Sequence, residues 1–141
     1  MIADAIRIVL TDDHSLFRTA LRSLLRLIPR VEVVAEAEDG LAAVDVVEQL
    51  KPDCVLMDLN MPKLDGIGAT RIITSKHPCT KVIVLTMHTD PEFKREAAAA
   101  GACLFLEKGC GKDAIEKAIS DCVEGKTSTE CAGPGVDQVF R

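Results

Sequence analysis

The sequence is 141 residues long, which suits one compact domain with a single core better than two domains. Hydrophobic residues make up 48% of it and aromatics only 3%, with neither Trp nor Tyr, so the core must be aliphatic. The net charge of −5 leaves no basic footprint for direct nucleic-acid contact or an anionic membrane, and no apolar run approaches the roughly 18 residues that span a bilayer. Met1 to Ala5 lacks the basic start and apolar stretch of a signal peptide, so a cytoplasmic protein is expected.

Ile6 to Leu10 reads as a first strand. Phe17, Ala20, Leu21, Leu24, Leu25 and Ile28 recur at helical spacing up to Pro29, an amphipathic helix. Val31 to Ala37 reads as a second strand and Leu41 to Leu50 as a second helix. Cys54 to Met57 is a short, unbroken apolar run, as in a strand covered on both faces. A loop holding Pro62 and Gly66 leads into a third helix reaching about Lys76, and Lys81 to Thr86 forms a fourth strand.

Thr89-Asp90-Pro91-Glu92 predicts a capping box with Pro at the first helical position, opening a helix that stops at Gly101. Cys103 to Glu107 makes a fifth strand. The last helix places Ile115, Ala118, Ile119 and Cys122 on one face and ends near Gly125. Alternating strands and helices predict an α/β fold, a doubly wound five-stranded parallel sheet with five flanking helices. Residues 1–125 form the domain, and 126–141, with Gly133-Pro134-Gly135 and no periodicity, read as a linker or disordered tail.

Cys54, Cys79, Cys103, Cys110, Cys122 and Cys131 contain no Cys-x-x-Cys pair, and His14, His77 and His88 are scattered. Free thiols packed as small hydrophobes are expected rather than a metal-thiolate site, with Cys131 in the polar tail open to oxidation.

In an open parallel sheet, ligands sit outside the carboxyl ends of the strands. Those ends carry Thr11-Asp12-Asp13, Asp58, Thr86 and Glu107-Lys108. Singly, an acidic pair often caps a helix and an aspartate often starts a turn; four polar ends at one rim point to a site. Carboxylates crowded there repel by about 4 kcal/mol per close pair at an effective dielectric near 20. Such a cluster takes up a proton or recruits a cation, and all-oxygen donors favour magnesium or manganese. The cation would offset charge on a phosphoryl group in transit to Asp58. Lys108 would clamp the same oxygens as a point charge, and Thr86 would supply a hydroxyl donor.

Asp12-Asp13, the stretch Lys51 to Pro62 around Asp58, Thr86 and Lys108 together resemble the signature of response-regulator receiver domains, over about residues 5 to 125. The resemblance implies a flavodoxin-like strand order 2-1-3-4-5 and phosphotransfer from a sensor histidine kinase to Asp58. It also implies magnesium held directly by Asp13 and Asp58, with Asp12 assisting through water and the backbone carbonyl of Asn60 completing the site. Asp13 to Arg18 and Val84 to His88 are similar to the subfamily with a LuxR-type helix-turn-helix output domain. Transcription control through such a domain is then expected, with the present chain its receiver part; a stand-alone receiver acting by protein contact is the alternative. The kinase should dock near the rim and the first helix, at Leu16 and Phe17. Helix four, strand five and helix five should carry the output, as a phosphorylation-promoted homodimer.

By the same resemblance, Thr86 moves toward the phosphoryl group as Phe105 turns inward; ordinary packing is the plain alternative for that ring. Departures from the family pattern are Gly109 after Lys108, which leaves the geometry of that peptide open, and Leu104, expected to restrict the inward path of Phe105 or to alter the face formed by helix four, strand five and helix five. Met87 is expected to narrow access to Asp58, and His88 to hinder or orient water. Two other classes compete. A magnesium-dependent phosphatase of the haloacid-dehalogenase kind wants Asp-x-Asp-x-Thr on its first strand and a cap domain, neither of which is here. A pseudo-receiver that only binds partners would not need Asp13, Asp58, Thr86 and Lys108 together.

Overall fold

The computed structural model describes residues 5–61, 63–87 and 90–123. Strands β1 (Ile6–Thr11), β2 (Val31–Ala37), β3 (Cys54–Met57), β4 (Lys81–Thr86) and β5 (Leu104–Glu107) alternate with helices α1 (Ser15–Leu25), α2 (Gly40–Leu50), α3 (Gly66–Lys76), α4 (Pro91–Ala100) and α5 (Lys112–Val123). The strands form one five-stranded sheet in the order β2-β1-β3-β4-β5, and every pairing is parallel. This is the expected doubly wound, flavodoxin-like arrangement.

Side chains alternate across the pleat, so each strand feeds two cores. Ile8, Leu10, Leu56, Ile83 and Leu85 pack with Leu21 and Leu25 of α1 and Ile115 and Ile119 of α5. Val9, Val55, Met57, Val82 and Val84 pack on the other face with Ala43 and Val47 of α2, Ala69 and Ile73 of α3 and Ala97 of α4. The expected face of α5, Ile115, Ala118, Ile119 and Cys122, is buried.

Several expectations need correcting. The first helix ends at Leu25 instead of running to Ile28: Leu27 is 69% exposed, and the Leu27 and Ile28 amides donate to the Leu24 and Leu25 carbonyls in a tighter final turn. Gly66 is the first residue of α3 and not part of the loop, because the Asp65 side chain caps that helix by accepting from the Gly68 amide. Pro91 does open α4, but the N-cap is Asp90, whose side chain makes no capping hydrogen bond; Thr89 lies outside the described residues. Gly101 ends α4 at φ +106°, where its lack of a side chain is needed, and Gly125 lies outside the described residues.

The thiols also divide. Cys54 is free and buried and Cys110 is free, as expected. Cys103 and Cys122 instead form a disulfide between the approach to β5 and α5, and Cys79 is disulfide-bonded as well. Nothing in local spacing signals a bond between residues 19 apart in sequence. Cys131 lies outside the described residues.

Candidate functional site

The sheet ladder continues past the strand ends, and that continuation holds the site. The Asp12 amide donates to the Ala37 carbonyl (3.1 Å), the Asp58 amide to Thr11 (3.0 Å) and the Lys108 amide to Thr86 (2.8 Å). Three side chains from three strand ends are thereby fixed at one rim. Asp12 and Asp58 are 3% and 4% exposed, and Thr86 is fully buried.

Lys108 reaches across from the end of β5. Its Nζ stands 2.6 Å from Asp12 Oδ2 and 3.6 Å from Asp58 Oδ1. The ammonium thus links the two buried carboxylates, and its closer partner is Asp12. The other oxygen of Asp12 accepts from the His14 amide at 2.8 Å. His14 Nδ1 lies 3.3 Å from Asp12 and 3.4 Å from Asp13, so Asp12, Asp13 and His14 form a group of metal-capable side chains that contains no cysteine.

Burial, then the neighbouring charge of Asp12, raises the Asp58 pKa above the ordinary 3.8; Lys108 and the Leu59 amide oppose this without cancelling it. A buried carboxylate with uncompensated negative charge around it is the electrostatic setting that a divalent cation relieves. The donor set, carboxylates with no thiolate, fits a hard cation such as magnesium.

The raised pKa has a stability consequence. Above it, the folded state carries an unfavourable charge that the unfolded chain does not feel. As pH falls through the raised pKa, wild-type Asp58 takes up a proton in the folded state and the penalty begins to shrink, to vanish below 3.8 where the unfolded chain is protonated too. Asp58→Asn should therefore be more stable than wild type by about 1 kcal/mol at pH 7.5 in EDTA. The gap should close as pH drops from the raised pKa toward 3.8. Urea melts of both proteins at pH 7.5 and pH 4.5 check this; a mutant less stable at pH 7.5 would contradict it.

The remaining candidates lie around this centre. Asp13 is exposed beside Asp12, and Asn60 is exposed in the loop after Asp58, where it lines a surface depression with Asp65, Phe93 and Glu96. Phe105 is half-buried against the α2-α3-α4 core, whereas Leu104 packs against the α1-α5 core. The two point to opposite faces of the sheet, so Leu104 does not stand in the path of Phe105. Met87 is 72% exposed. Gly109 sits at φ +96° with no cis peptide among the described residues, so glycine here serves a left-handed turn that lets the chain leave β5. His88 and Pro62 lie outside the described residues.

Three contributors had not been anticipated in these roles. Arg18 donates to the Asp12 carbonyl and pairs with Glu36 at 2.9 Å. Phe17 places its ring centroid 4.4 Å from Lys108 Nζ. Gly66 packs against the peptide that follows Asp58, where an added Cβ would lie 2.7 Å from Leu59 Cα. The signal for Gly66 was present as Asp65 one residue before it, a capping residue that makes the glycine helical.

Comparison with known proteins identifies the family and the fold. Residues 8–120 match the model of the response regulator receiver domain, and the chain belongs to that family. It is 42% identical over 120 residues to the transcriptional regulatory protein DegU of Brevibacillus brevis, covering 85% of this chain and 51% of that protein. It is 37% identical over 114 residues to the response regulator GacA of Pseudomonas viridiflava, covering 81% and 53%. Among solved structures, the receiver domain of a putative response regulator NarL from Mycobacterium tuberculosis superposes with a TM-score of 0.83 at 36% identity, covering 86% of this chain and 98% of that one. A LuxR-family two-component response regulator from Aurantimonas sp. SI85-9A1 gives 0.82 at 32% identity, covering 96% and 94%. The chain spans about half the length of the curated relatives it matches. Among the described residues, no helix is long and apolar enough to cross a membrane.

Proposed function

We propose that this receiver domain is a phosphorylation switch in which Asp58 accepts a phosphoryl group from a sensor histidine kinase. The observation that carries the reading is the placement of a buried Asp58 beside Asp12 with the Lys108 ammonium spanning the two. A carboxylate oxygen of Asp58 attacks phosphorus in line. The O–P bond forms as the P–N bond to the donor imidazole breaks, and the bonding pair stays on that nitrogen. Lys108 offsets the charge on the phosphoryl oxygens, shifting from Asp12 toward them, and the Thr86 hydroxyl donates to the same group.

Asp13 and Asp58, with Asp12 and the Asn60 carbonyl, would hold magnesium or manganese. When bound, the cation supplies further charge stabilisation for the transfer. The chemistry is confined to the domain itself, as self-phosphorylation and self-dephosphorylation. The kinase docks over the rim and α1, where Leu16 is 84% exposed in the turn that follows the acidic pair. Withdrawal of Thr86 toward the phosphoryl group makes room on the α4 side of the sheet. Phe105 fills it and alters the α4-β5-α5 face, which favours a homodimer. Transcription control is the output of the whole regulator, with residues 126–141 as the connection. This is supported by the transcriptional regulatory names of relatives about twice as long as the matched region.

Incubation with acetyl phosphate and magnesium tests the reading by intact mass. Wild type should gain one phosphoryl group, and Asp58→Asn should gain none. No gain by wild type, with magnesium binding retained, would favour a pseudo-receiver that acts by protein contact alone.

A further inference from the structure

We infer that the first turn of α1 is a positioning device for the site. Phe17 presents its ring face to Lys108 and holds the ammonium between Asp12 and Asp58, while Arg18 fixes the backbone that carries Asp12. The inference rests on the reading of Lys108 as the phosphoryl clamp.

A lysine ammonium ends a flexible four-carbon stem, so something must define where it sits. Its side chain here is only 8% exposed. Asp12 and Asp58 draw it from one side, at 2.6 and 3.6 Å. The Phe17 ring meets it from another, with the centroid 4.4 Å from Nζ, within the range over which the negative face of an aromatic ring attracts a cation. Phe17 is itself half-buried and packed against the α1-α5 core, so the ring is an anchored platform.

The chemistry of the two kinds of partner differs. A carboxylate binds the ammonium through directed hydrogen bonds, and Asp12 alone would retain it. A ring face attracts the same charge without occupying a particular N–H, so the ammonium can pivot against it between Asp12 and an incoming phosphoryl oxygen. The next residue secures the other half of the arrangement. Arg18 Nη1 donates to the Asp12 carbonyl, its Nε pairs with Glu36 of β2 at 2.9 Å, and Arg22 of α1 pairs with the same Glu36. The helix, the end of β1 and the neighbouring strand are thereby tied together at the point where Asp12 projects.

The test reads the lysine directly, without phosphorylation. In magnesium-free wild type, the ε-methylene protons of Lys108, assigned by their loss in Lys108→Arg, should be shifted upfield by the ring current of Phe17. Phe17→Leu should return them to ordinary lysine values, and Phe17→Tyr should keep the shift. The rate of labelling by acetyl phosphate with magnesium should fall about fivefold in Phe17→Leu and recover in Phe17→Tyr. Unshifted ε-methylene protons in wild type, or equal labelling rates for wild type and Phe17→Leu, would overturn the inference. A wild type that shows the shift but takes up no phosphoryl group would instead overturn the acceptor reading and leave the placement of Lys108 supported.

Discussion

Lys108→Ala should lose about 3 kcal/mol of folding stability at pH 7.5 in EDTA, a drop of about 10 °C in melting temperature for a domain of this size. Lys108 is the cation within 4 Å of both Asp12 and Asp58 among the described residues, and removing it leaves two buried carboxylates facing one another. The loss should shrink in two circumstances. At lower pH, Asp58, whose pKa is already raised, takes up a proton and relieves the repulsion. In millimolar magnesium, binding to the native state restores part of the stability by mass action. Scanning calorimetry of wild type and Lys108→Ala, with and without magnesium, measures both effects. Labelling by acetyl phosphate should be lost in the mutant even where magnesium restores folding, since the cation does not replace the lysine at the phosphoryl oxygens. A mutant as stable as wild type in EDTA would show that the pairing contributes nothing to the fold.

Gly66→Ala should damage the site through the backbone. The new Cβ would fall inside van der Waals contact of the Asp58 carbonyl oxygen, 2.9 Å from the Asp58 carbonyl carbon and 2.7 Å from Leu59 Cα. None of these is a flexible side-chain tip that could move aside. The Gly66 amide also donates to the Leu59 carbonyl at 3.0 Å, which holds the start of α3 against this peptide. The helix and the acceptor loop must therefore separate, at a cost of about 3 kcal/mol. Chemical denaturation should show that loss, and labelling of Asp58 should slow by more than tenfold even in the folded fraction, because the loop that follows the acceptor is displaced. Gly68→Ala makes a control: there the nearest atom is a Leu64 methyl at 2.8 Å, the end of a side chain that can turn. Equal effects of the two substitutions would contradict this account of Gly66.

The contrast between these residues shows where the sequence was legible. Strand positions came from unbroken apolar runs. Cys54 to Met57 is bounded as expected because a strand covered on both faces leaves no polar position to mislead, and Lys81 to Thr86 because its apolar centre, Val82 to Leu85, is equally unbroken. The rim followed from the same reasoning, since parallel order puts every strand's carboxyl end on one side. Side-chain choices there were not legible. That Lys108 sits nearer Asp12 than Asp58, and that Phe17 supports it, depends on rotamers and on the distance from α1 to β5, which no local pattern encodes. The Cys103–Cys122 disulfide belongs to the same class, a contact between the approach to a strand and a helix face 19 residues on. Leu104 as an obstacle to Phe105 was misjudged because their neighbour relation in sequence becomes opposition across the sheet in space. The end of α1 was misjudged because Ile28 is buried as its spacing implied, yet the chain reaches it through a tighter final turn after Leu25.

The most direct measurement is the position of the phosphoryl group. After incubation with acetyl phosphate and magnesium, borohydride reduces an aspartyl phosphate to homoserine, and peptide mass spectrometry then reads the residue. Homoserine at position 58, with Asp12 and Asp13 unchanged, is the expected result. Homoserine at position 12 or 13, or none in a protein that has gained a phosphoryl group, would contradict the assignment of Asp58 as acceptor.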